Sequence, residues 1–168
     1  DGADPLAHYL DVVADKTGSL IAASARFGAM VSGAPDEIKE TLTIFGEKIG
    51  VAFQLADDVI DIASESFESG KTPGTDLREG VPTLVTLNVI AMNRPEDAAL
   101  IEMLKAPIKD EAVVAEVIRT LRAHPALELS RNQMLQYARD ARAALGPLPV
   151  NDVTGALYSL CDAIIDRT

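Results

Sequence analysis

The chain has 168 residues, enough for one domain with a sizeable core, and 48% of them are hydrophobic, which excludes a disordered chain. Aromatics make up only 4%, there is no tryptophan and alanine is frequent, a mix that favours helix packed on helix over sheet. A formal charge of -11 opposes non-specific binding of nucleic acid or anionic membrane, so an anionic substrate would need local lysines, metal ions, or both. A single cysteine, Cys161, permits no internal disulfide and reads as a small core residue. No signal peptide or apolar run of membrane-spanning length is visible, which makes the cytoplasm the expected compartment. The chain opens at Asp1 and enters an amphipathic pattern at once, which reads as an excerpt from something longer.

From about Pro5 to Ser32 the spacing is helical, with Asp4 as a cap and Gly33 and Pro35 as the stop. Val12, Val13, Leu20, Ala23 and Phe27 form its apolar arc, and Lys16 falls in the middle of that arc. A lysine there snorkels to the helix edge, meets an anion, or loses its proton.

A longer helix follows from Pro35 to about Ser66, in which Gly46 and Gly50 allow another backbone to come close. Its sequence FQLADDVIDI, Phe53 to Ile62, places Gln54, Asp57, Asp58 and Asp61 within one arc of about 100° on a helical wheel. Apolar residues take the rest of the circumference. Three carboxylates on such a helix call for protons, cationic side chains or metal, unless the strip is a solvated face. Oxygen-only ligation selects a hard cation such as Mg2+, which binds through one or two carboxylates plus substrate phosphates.

Phe67 to Gly80 reads as a polar loop that carries Lys71, with Asp76 and Glu79 as a variant capping box. Lys16 and Lys71 are the point charges that would complete a diphosphate site. Shorter helices cut by proline follow: Pro82 to Met92, Pro95 to Lys105, Lys109 to Arg122 and Pro125 to Leu145. Asn151 caps a last helix whose expected apolar side is Val153, Leu157, Leu160, Ile164 and Ile165. His8 and His124 read as surface or helix-end residues rather than ligands. The expectation is a single all-helical body without strands, repeats or an internal domain boundary.

The ordered set of segments resembles the C-terminal half of the trans-isoprenyl (polyprenyl) diphosphate synthases. Lys16-Thr17 in DKTGSLIAASARFGA is similar to the family's Lys-Thr segment, and Phe53-Gln54 with Asp57, Asp58 and Asp61 to its second aspartate-rich motif. GKTPGTDLREG, Gly70 to Gly80, is similar to the lysine-bearing loop, and LPVNDVTGALYSLCDAIIDR to the closing helix.

The resemblance implies an all-α isoprenoid-synthase-type bundle, residues 1-168 being the C-terminal part of a single prenyltransferase domain without its first aspartate-rich motif. It implies condensation of isopentenyl diphosphate with an allylic diphosphate by Mg2+-dependent ionisation, condensation and elimination, in a homodimer. Asp57 would be the direct Mg2+ ligand, assisted by Asp58 and Asp61. Lys16 and Lys71 would bind the diphosphate, and Thr17 and Gln54 would line the reacting end. Val81 stands where the family often has lysine. The fragment alone is expected to be inactive. A non-catalytic subunit of a heteromeric synthase and a class I terpene cyclase are the alternative readings.

Overall fold

Asp4 opens the first helix as its position suggests, its Oδ1 accepting the Leu6 N–H at 3.0 Å. The computed structural model describes residues 4–64 and 73–167. Its elements run α1 (Pro5–Val13), a π turn (Ala14–Gly18), α2 (Ser19–Val31), α3 (Asp36–Ala63) and α4 (Thr75–Glu79), followed by α5 (Leu84–Met92) and a 3-10 turn (Pro95–Asp97). Then come α6 (Ala98–Met103), α7 (Glu111–Ala123), α8 (Pro125–Ala144) and α9 (Asp152–Ile165). No strand occurs among the described residues, so the fold class is all-α as expected. The chain divides into two compact units, Leu10–Ala56 with Gln133–Thr168 and Asp1–Tyr9 with Asp57–Asn132, which are taken in turn.

The first unit rests on two backbones in contact. A Cβ added to Gly46 would stand 2.6 Å from Ala22 Cα, and one on Gly50 2.9 Å from Gly18 Cα. The two glycines of α3 are therefore the side on which the π turn and α2 lie, at a distance no side chain permits. Val13, Phe45, Ile49, Leu55, Met134, Ala138, Leu145 and Cys161 are buried in the same unit.

The buried positions along the first helical stretch are Val13, Gly18, Ala22 and Ala29. The first step, from 13 to 18, spans the π turn. Bonds of the i→i−5 type insert one residue into the helical count and rotate all that follows by about 100°. The arc expected from Val12, Val13, Leu20, Ala23 and Phe27 assumed an unbroken period; Val13 is buried and Ala23 half-buried, but the rest of the arc is not in the packed face. Val12 is 46%, Leu20 67% and Phe27 61% exposed. Lys16, expected among apolar neighbours, is exposed for the same reason. On α9 the expected face is kept in part: Cys161 and Ile164 are buried and Leu157 and Ile165 half-buried, while Val153 and Leu160 are exposed and Thr154 is buried instead. Asn151 does cap this helix, accepting the Thr154 N–H at 2.9 Å.

The second unit has a core of Val59, Ile62, Leu77, Val85, Val89, Leu100, Val114, Val117, Leu121 and Leu127. Part of the stretch read as a loop is helical here, because α4 is held at both ends. Gly74 and Gly80 flank it with φ of 78° and 71°, and the Ile108 N–H donates to Leu77 O at 3.0 Å. A Cβ on Gly74 would meet Ile118 Cδ1 at 2.7 Å, so α4 begins pressed against α7. The capping box belongs to Thr83 and Thr86 at the start of α5, where each side chain accepts the other's N–H, and not to Asp76 and Glu79. His124 is a buried helix-end residue: Nδ1 accepts the Ala126 N–H at 3.0 Å at the start of α8, and Nε2 lies 2.9 Å from Asp97 Oδ2.

Two outcomes follow from the first unit. Gly46→Ala should lower unfolding free energy by about 1–3 kcal/mol through overpacking. Gly28→Ala, with nothing within 4 Å of its new methyl, should raise it by up to about 1 kcal/mol. Urea titration of both variants checks the pair. The 168 residues alone should also self-associate through the exposed Leu20, Phe27 and Val31; a clean monomer in light scattering would refute this.

Candidate functional site

The sequence singled out a lysine-threonine segment, an acidic helix and a lysine-bearing loop. Lys16 and Thr17 lie in the π turn, and the Thr17 hydroxyl donates to Gln54 Oε1 on α3 at 3.4 Å. The segment is seated on α3 through Gly50, whose Cβ would stand 3.1 Å from Thr17 O. The Ser19 N–H, which an α-helix would direct to Asp15 O, donates to Ala14 O instead. The Ser19 hydroxyl takes up the Asp15 carbonyl in its place.

In the other unit, the carboxylates of α3 have different surroundings. Asp57 is partly exposed. Asp58 is 5% exposed, and its Oδ2 accepts the Leu84 N–H at 2.8 Å and a hydrogen bond from the Tyr9 hydroxyl. Leu84 is the first residue of α5, so Asp58 sits at a helix N-terminus, where the aligned peptide dipoles favour a negative charge. Burial, followed by the Asp58 charge, pushes the Tyr9 phenol far above its ordinary pKa and keeps it a donor.

Asp61 closes the far end of the strip. Its backbone oxygen accepts the Gly74 N–H at 3.1 Å and its Oδ1 the Thr75 N–H at 3.3 Å, so a residue of α3 supplies the start of α4 with the cap that Gly74 lacks. Burial raises its carboxyl pKa, opposed by the backbone N–H groups of Thr75, Asp76 and Gly74 and by the Arg78 charge. Its Oδ2 is buried without a hydrogen-bond partner. An orphaned carboxylate oxygen among oxygen-only donors fits a hard divalent cation. Among the described residues, however, no three His, Cys, Asp or Glu side chains stand together as a metal cluster. Asp58 and Asp61 are both engaged by the protein itself.

Two arginines that pattern reading did not single out hold this region. Arg122 donates Nε to Ile62 O at 2.8 Å and Nη2 to Ser64 O, taking up carbonyls at the end of α3. Arg78 forks onto both oxygens of Glu111 at 2.8 Å and donates Nη1 to Pro73 O at 2.7 Å. Tyr9 was missed as well, since it lies 49 residues from Asp58 and only the fold joins them. Lys71 lies outside the described residues. Val81, which stands where the family often has lysine, is 46% exposed.

Fold and site together define an all-α protein whose polar chemistry is carboxylate oxygen on one long helix and a lysine-threonine π turn. Residues 2–121 match the family described as Polyprenyl synthetase. The chain is 47% identical over 169 residues to a nonaprenyl diphosphate synthase of Mycobacterium tuberculosis, covering 99% of this chain and 50% of that protein. It is 34% identical to an octaprenyl diphosphate synthase of Haemophilus influenzae, covering 96% and 49%. A geranylgeranyl pyrophosphate synthase from Corynebacterium glutamicum, solved with calcium and isoprenyl diphosphate, superposes with a TM-score of 0.90 at 37% identity, covering 99% of this chain and 52% of that one. A polyprenyl synthase from Caulobacter crescentus, also with calcium and isoprenyl diphosphate, gives 0.87 at 35%, covering 96% and 50%. The chain belongs to the polyprenyl synthetase family, whose all-helical fold it shares. It spans about half the length of the curated relatives it matches.

The Tyr9–Asp58–Leu84 node makes a stability prediction. Tyr9→Phe should cost about 1 kcal/mol, and Asp58→Ala about 3 kcal/mol, because the latter leaves the buried Leu84 N–H and the Tyr9 hydroxyl unpaired. Equal costs in chemical denaturation would show that the carboxylate is not the hub.

Proposed function

We propose that residues 1-168 are the C-terminal part of a single all-helical prenyltransferase domain. The whole protein condenses isopentenyl diphosphate with an allylic diphosphate to make a medium- or long-chain polyprenyl diphosphate. It works as a cytoplasmic homodimer with Mg2+. The observation that carries the reading is the joint occurrence, in a chain of this family, of a seated Lys16-Thr17 turn and the Asp57, Asp58 and Asp61 carboxylates. The calcium and isoprenyl diphosphate in two solved relatives support a divalent cation and a diphosphate substrate. Among the described residues no helix is long and apolar enough to cross a membrane.

Each side chain has a part in this reading. Asp57 is the metal ligand, the role that the resemblance of this motif to the family implies, while Asp58 and Asp61 carry hydrogen bonds from Leu84, Tyr9 and Thr75. Those two fix the helix that presents Asp57, and the unpaired Asp61 oxygen keeps one hard donor in reserve. Lys16 and Lys71 bind the diphosphate as point charges, and Thr17 and Gln54, joined by their hydrogen bond, line the reacting end. Mg2+ bound here would supply neutralisation of the diphosphate, whose charge grows as the carbon–oxygen bond breaks. The 168 residues alone do not turn over, since they span half of the relatives' length.

The experiment uses a full-length protein carrying these residues. With Mg2+ it should convert isopentenyl and farnesyl diphosphates to longer products, resolved by chromatography. Asp57→Ala should cut kcat by about 100-fold or more with the circular dichroism spectrum unchanged. Near-normal turnover in that variant would remove Asp57 from the metal site. A full-length chain active only with a second polypeptide would replace the homodimer with a heteromeric synthase.

A further inference from the structure

The π turn is the one break in regular helix geometry between Pro5 and Val31, and it falls on the lysine to which the proposed function assigns the diphosphate and the threonine it places at the reacting end. Turns of this kind inside α-helices appear mostly as single insertions and often at functional sites, because the extra residue redirects side chains that a regular helix would aim elsewhere. Here the redirection is visible in the burial pattern: Val13 and Gly18, five apart, are both buried, while Lys16 is exposed and Thr17 reaches Gln54.

Two features outside the lysine-threonine pair hold the turn. Gly50 is its seat. A methyl there would stand 2.9 Å from Gly18 Cα, 3.1 Å from Thr17 O and 3.3 Å from Gly18 N, all backbone atoms that cannot give way without moving the turn. Ser19 is its lock. The turn diverts the Ser19 N–H from Asp15 O to Ala14 O, and the Ser19 hydroxyl then serves the carbonyl that lost it. Ser24 makes the same kind of bond, to Leu20 O at 2.9 Å, but inside regular α-helix, where it compensates for nothing.

The geometry points to Gly50 and Ser19 as positioning residues of the synthase reaction, which set the aim of Lys16 and Thr17 by holding the π turn. The inference rests on the proposed role of Lys16 and Thr17. Gly46 provides an internal control, because it seats the same helical stretch one turn away. A methyl there would clash harder, at 2.6 Å, but with Ala22 and not with the π turn.

The test measures steady-state kinetics and thermal stability in the full-length protein carrying these residues. Gly50→Ala should lower kcat by about 10- to 100-fold, with KM for the allylic diphosphate changed less than about threefold. Gly46→Ala should lose at least as much thermal stability yet keep kcat within about twofold of the parent. Ser19→Ala should lower kcat several-fold without loss of stability, Ser19→Thr should restore it through its hydroxyl, and Ser24→Ala should be silent. If Gly50→Ala does not fold, the Ser19 pair decides the question. Activity that falls in proportion to stability in both glycine variants, or a silent Ser19→Ala, overturns the inference. Lys16→Ala separates the two levels. If it is severe while Gly50→Ala behaves like Gly46→Ala, only the positioning role fails. If it leaves turnover intact, the proposed diphosphate role fails and the positioning role falls with it.

Discussion

A carboxylate on a helix that is buried on most sides must find hydrogen-bond donors nearby or give up its charge, and this requirement shapes everything around the end of α3. Asp58 is answered by the Tyr9 hydroxyl and by the first N–H of α5. Asp61 is answered by the first N–H groups of α4. In both cases one donor is a backbone N–H at the beginning of a helix, so one contact serves a carboxylate oxygen and satisfies a backbone group that would otherwise lack a partner. Acidic residues that pattern reading assigns to a ligand also organise α1, α4 and α5.

The same region shows how the end of a long helix is finished. Gly74 supplies an N–H to Asp61 O, and Arg122 reaches from α7 to Ile62 O and Ser64 O. Arg78 holds Pro73 while its fork grips Glu111. Residues on both sides of the 65–72 stretch are thus held by guanidinium groups, whose planar donor sets reach several acceptors from one fixed geometry. Single lysines could not make these paired contacts.

In the other unit the governing quantity is closeness of backbones. Gly18, at the end of the π turn, lies against Gly50, and Ala22 in α2 lies against Gly46. The π turn that ends at Gly18, seated on Gly50, gives its residues directions a uniform helix would not offer. Lys16 in the turn and Leu20 and Phe27 beyond it are exposed.

The helical class and the caps at Asp4 and Asn151 were legible in the sequence alone, and the resemblance of its motifs pointed to the polyprenyl synthetase family that the match over residues 2–121 shows. All of these depend on residue types and short spacings, which the chain displays locally. Other features required the tertiary structure: the π turn, the burial of Thr154 in place of Val153 and Leu160 on α9, the helical turn at Thr75–Glu79, and the different surroundings of Asp58 and Asp61. A period counted along one helix cannot register an inserted residue that packing demands. Nor can it foresee a donor that arrives from Tyr9, 49 positions away. Composition and spacing specify which groups need partners, and only the fold decides which partners reach them.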